Sequence, residues 1–126
     1  MSVDGRGSRG RWAVVFLLRG RNHPLHVIQG TGSNTIITDE AVRKDIVGIL
    51  GEDEILKEQK GLVELIVTSP DVIEDVPGIL AFLSTSLSSR GINFIEVISC
   101  YKDTMFVIEE QDMMPAFETL NRVINL

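Results

Sequence analysis

At 126 residues, 44% of them hydrophobic and 24% charged, the chain is long enough for one compact domain with a core. No apolar run reaches the roughly 18 residues of a membrane span, so a membrane partner is not expected. The net charge of -6 is uneven: residues 1–24 carry five arginines against Asp4, leaving -10 on the remainder, and such an acidic body lacks the basic face that nucleic-acid binding requires.

Taken in order, residues 1–10 are a Gly/Arg/Ser-rich tail. The run from Trp12 to Leu18 is apolar throughout; its β-branched and aromatic content and the following Gly20 predict a buried strand. It is no secretion signal, being short and followed by Arg19 and Arg21. Leu25 to Ile28 and Thr35 to Ile37 are predicted as a hairpin around Gly30-Thr31-Gly32-Ser33-Asn34. Asp39 can cap a helix that buries Val42, Ile46, Ile49 and Leu50 and stops at Gly51. Glu52 to Gly61 is polar and is read as a link. Leu62 to Val67 has the length and composition of a strand, ended by Ser69, Pro70 and Asp71. Pro77 suits the first turn of a helix whose Ile79, Leu80, Leu83 and Leu87 share a face, with Gly91 as its stop. Ile92 to Ser99 and Thr104 to Glu109 are two further strands joined at Tyr101-Lys102-Asp103. Asp112 then caps a last helix with Met113, Phe117, Leu120, Val123 and Ile124 on its apolar face.

From Leu62 onward the order β-α-β-β-α is an α+β, ferredoxin-like arrangement without its last strand: an antiparallel sheet with helices on one face. Residues 25–51 repeat its back half. Val27-Ile28 and Thr35-Ile36-Ile37 match Val97-Ile98 and Met105-Phe106-Val107 at an offset of 70, and Ile46-Ile49-Leu50 match Leu120-Val123-Ile124 at an offset of 74. The division is therefore residues 1–24, a partial unit with its link at 25–61, and a fuller unit at 62–126. Only 24 residues precede Leu25, too few for a strand and helix. Either Trp12 to Leu18 completes the first sheet or a second chain does, which predicts a homodimer or higher homo-oligomer.

The loop from Asp71 to Gly78 feeds a helix N-terminus, where free N–H groups favour an anion such as an α-carboxylate. Glu74 and Asp75 can hold an ammonium group, Gly78 permits close backbone approach, and Asn93 offers both donor and acceptor. The same acids can simply stabilise the helix dipole. His23 and His26 lack a third metal ligand, so no metal or other cofactor is expected. Cys100 has no histidine partner nearby and is read as structural; as the single cysteine it forms no internal disulfide and suits a reducing cytoplasm. No Lys-Ser/Thr follows Gly30-Thr31-Gly32-Ser33, and the loop from Thr68 to Gly78 holds no arginine for a phosphate-binding hydrolase. A non-enzyme is expected.

The run VPGILAFLSTSLSSRGINFIEVISCYKDTMFVIEEQDMMPAFETL resembles an ACT domain, the small regulatory module of amino-acid metabolism, and most closely the C-terminal regulatory part of aspartate kinases. The features that carry the resemblance are Pro77-Gly78 with an aliphatic residue after them, Gly91-Ile92-Asn93, Ile98-Ser99-Cys100-Tyr101 with Asp103, and Phe106-Val107. It implies an amino-acid effector between the Glu74-Asp75-Val76-Pro77-Gly78 loop and Ile92-Asn93 of a neighbouring unit. It also implies side-by-side dimerisation and a non-catalytic regulatory role. The alternatives are a pure oligomerisation module, or the regulatory subunit of a separately encoded enzyme such as aspartate kinase, since this chain has no room for a kinase domain.

Overall fold

The computed structural model of the chain describes residues 13–20, 22–68, 76–100 and 103–124. The arginine-rich start, Trp12, the loop that holds Glu74 and Asp75, and the turn residues Tyr101 and Lys102 lie outside them. The fold class is the expected mixture of helices and antiparallel hairpins, divided into two compact units at Met1–Leu62 and Val63–Leu126.

In the first unit, β1 (Ala13–Leu18), β2 (Leu25–Gln29), β3 (Asn34–Asp39) and the start of β4 (Ile55–Thr68) lie in the order β2-β3-β1-β4. The apolar run thus completes the chain's own sheet, the first of the two routes expected. Its direction corrects the expectation of a uniformly antiparallel sheet, because β1 pairs parallel with both β3 and β4, while β2 and β3 form the antiparallel hairpin. A crossover helix between β1 and β2 would make those two strands run the same way. Residues 19–24 are too few for one, so β2 turns straight back and β3 comes to run alongside β1. Ala13, Val15 and Leu17 pack with Ile36, and Phe16 and Leu18 are buried on the opposite face of the strand. A parallel strand covered on both faces reads as an unbroken apolar run, each large side chain contributing about 1.5–3 kcal/mol.

Helix α1 (Glu40–Leu50) starts where expected. Asp39 Oδ1 accepts the Val42 N–H at 3.0 Å, and Gly51, at φ 93°, closes the far end through Val47 O at 2.8 Å. Its inner face is Val42, Ile46, Val47 and Leu50, all half-buried. Ile49 was expected there and is 81% exposed, because at 100° per residue it falls about 90° from the centre of that face. Gly48 sits on the outer side with nothing within 4 Å of the position a Cβ would take. Gly48→Ala should therefore stabilise the protein by about 0.5–1 kcal/mol, read as a higher urea midpoint at unchanged slope.

The polar stretch read as a link is instead mostly strand. A 3-10 turn at Glu52–Glu54 leads into β4, and Arg43 of α1 pairs with both Glu52 and Glu58 across that corner. Lys57, Glu58 and Lys60 are exposed along the part of β4 that pairs with β1, so the strand carries its charge toward solvent. The pairing steps from Phe16 with Gln59 to Leu18 with Leu62, so β4 carries an extra residue there, and Gly61 at φ 77° absorbs it.

In the second unit the order is β4-β6-β5, with β5 (Glu96–Cys100) and β6 (Asp103–Glu109) antiparallel in register from Glu96 with Val107 to Cys100 with Asp103. Helices α2 (Val76–Ser88) and α3 (Met113–Ile124) bury one face each around Phe106. Leu83, Leu87, Ile92, Ile108, Ala116 and Leu120 complete that core, and the rings of Phe94 and Phe106 lie 5.4 Å apart. Gly91, at φ 79°, ends α2 as predicted. Two expectations shift. The strand predicted from Ile92 begins only at Glu96, Ile92 being a buried residue of the connection. The inner face of α3 is Ala116, Thr119, Leu120 and Val123, leaving Met113, Phe117 and Ile124 37%, 55% and 52% exposed. Thr119 can face inward because its hydroxyl donates to Pro115 O at 2.8 Å and accepts from Arg90 Nη1 at 3.1 Å.

Candidate functional sites in the two units

The predicted ligand residues fall at opposite ends of α2. Val76, Pro77 and Gly78 open the helix; Glu74 and Asp75 precede it, outside the described residues. Ile92 and Asn93 follow its other end. There Ile92 N–H bonds Leu87 O at 3.2 Å and the Ile92 side chain is spent on the core, so neither is available to a ligand. Asn93 is exposed. From Gly78 to Ser88 the helix rises about 15 Å, whereas the main chain of one amino acid spans at most about 3.6 Å. Gly78 and Asn93 of the same unit therefore cannot hold the same small molecule.

A second constellation, in the first unit, had no sequence signal beyond a cap and two histidines. Asp39 is 2% exposed, and besides capping α1 its Oδ2 accepts both the backbone N–H of His23 at 2.9 Å and the ring Nδ1 at 2.8 Å. An ionised carboxylate only accepts, so Nδ1 carries the proton in this pair. The Val42 N–H, foremost, and then the His23 contacts hold the Asp39 carboxyl below its ordinary value, against the opposing effect of burial. His23 adopts φ 53°, an unusual conformation for a residue other than glycine. The partners lie 16 residues apart, a separation that no local pattern reports.

Among the described residues, no three His, Cys, Asp or Glu side chains gather as a metal site, and no helix is long and apolar enough to cross a membrane. The family model for the ACT domain matches residues 57–122. No curated protein matches the chain. Among solved structures, the chain is similar to one described as the crystal structure of aspartokinase alpha and beta subunits, with a TM-score of 0.62 and 18% identity over 83% of this chain and 76% of that one. At that identity the likeness is one of fold.

Proposed function

Because the chain belongs to the ACT domain family, we propose that it is a non-catalytic regulatory module that binds an amino-acid effector and works as a homodimer. The observation that carries this reading is the separation along α2. If the helix N-terminus at Gly78 and the amide of Asn93 both contact the effector, they come from two copies, and a two-fold axis makes two such sites. The carboxylate would meet backbone N–H groups near Val76 to Gly78, and the ammonium Glu74, Asp75 or Asn93.

Calorimetry with the common amino acids tests the reading. Asn93→Ala should weaken the bound amino acid by about 0.5–1.5 kcal/mol, and Gly78→Val should block its approach. A mixed dimer of the two variants should recover one intact site, since its Gly78 and Asn93 then meet from different chains. Equal binding by the parent and both variants would place the site elsewhere. A parent that is monomeric by light scattering at tens of micromolar would defeat the composite site, and one that dimerises but binds no amino acid at millimolar concentration would be an oligomerisation module.

A further inference from the structure

The core of the second unit uses only part of the apolar surface that α3 offers. At about 100° per residue, Ala116, Thr119, Leu120 and Val123 share one sector of the helix and face inward. Met113, Phe117 and Ile124 fall within about 40° of one another beside that sector and stay exposed, with Met114, 60% exposed, at their outer margin. Along the chain Met113, Phe117, Leu120 and Ile124 follow one another at the alternating four- and three-residue steps of a seam along which one helix packs against another. We propose that this face of α3 docks a basic amphipathic helix of another protein.

Shape and charge identify the occupant. The seam runs about 17 Å from Met113 to Ile124, a straight ridge that a partner helix of about three or four turns covers. Methionine at two of its positions lets the surface adjust to the side chains it meets. The margins are acidic. Glu109 and Asp112 precede the seam at its N-terminal end, and Glu118 lies about 40° beyond Met114 around the helix. Arg122, the one cation in the α3 sequence, stands about 140° from Phe117, on the far side. Residues 63–126 as a whole carry ten acidic side chains against three basic ones. Such a rim favours lysine or arginine flanking the partner's apolar face. It disfavours two other occupants: a second copy would set the same acids against each other across a two-fold axis, and an anionic lipid surface would be repelled. The face contains neither Gly78 nor Asn93, so it can fail without the effector site failing.

Fluorescence anisotropy of a labelled Leu/Lys peptide of about 18 residues, patterned as an amphipathic helix, tests this on the full chain. The peptide should bind saturably, at least about tenfold more tightly than a Leu/Glu peptide of the same pattern or a scrambled Leu/Lys peptide. Phe117→Ser should weaken it about tenfold and Glu118→Lys about threefold. Ile49→Ser, which removes an exposed apolar side chain from α1, should leave it unchanged. No binding, equal binding of the patterned and control peptides, or parent-like binding by both α3 variants would overturn the proposal. So would light scattering in which Phe117→Ser dissociates a parent dimer, which assigns the face to a second copy. Binding to phosphatidylserine vesicles that Phe117→Ser abolishes would overturn it in favour of a membrane.

Discussion

Phe106→Ala is expected to destabilise the protein by about 3–5 kcal/mol. The side chain is 0% exposed in the middle of β6, with Phe94 5.4 Å away and Leu83, Leu87, Ile92 and Leu120 in the same cluster. Truncation leaves a cavity bounded by two helices and a sheet that cannot all collapse into it. A domain of this size has on the order of 5–15 kcal/mol in total, so a large share of the folded population is at stake at 37 °C. Phe82 is the matched control: on α2 and 52% exposed, it should cost less than about 1 kcal/mol when truncated. Urea unfolding followed by circular dichroism separates the two; equal midpoints would mean that the second unit is not held by this cluster. Since α2 is carried on the core by Leu83 and Leu87, the proposed effector binding should fail with Phe106→Ala and survive Phe82→Ala.

What could be read in the sequence follows from the range over which each signal acts. Caps and stops are local, and Asp39, Gly51 and Gly91 each stand where expected. The hairpins β2–β3 and β5–β6 were legible from alternation and turn residues, and their resemblance to each other from the offsets. Strand direction around β1 was not, because no residue within Ala13–Leu18 records that the connection to β2 lacks a helix; only the spacing of 19–24 does. β4 was half hidden for a different reason: its first half, with Lys57, Glu58 and Lys60, carries the charge of a loop. On α3 the apolar stripe is broader than the strip the core accepts, so Phe117 looked internal and is not. For the sites, a helix N-terminus can be recognised from Pro77-Gly78. That Asn93 follows the far end of the same helix was legible from Gly91 as its stop, whereas the His23–Asp39 pair needed a contact across the chain.

Asp39→Asn carries the second large effect, and its signature is a dependence on pH. The buried carboxylate accepts three N–H donors, from Val42 and twice from His23, so it fastens the 19–24 connection to the start of α1. An amide has one acceptor oxygen and adds donors of its own where only acceptors are wanted. The melting temperature should fall on the order of 5–10 °C at neutral pH. The carboxyl's value in the folded chain lies below its ordinary value, so the unfolded chain takes up its proton first as the pH drops. The stabilisation is therefore present in full above the unfolded value, near about 4, and drains away as the pH falls through the lower folded value. Parent and Asp39→Asn should accordingly differ most at pH 6–8 and converge toward pH 3. His23→Ala should recover only part of the difference, since the Val42 bond and the His23 backbone bond outlast the ring. Urea midpoints at pH 7, 5, 4 and 3 check this; a gap that stays constant to pH 3 would mean that the carboxylate's ionisation is not what fastens the two segments together.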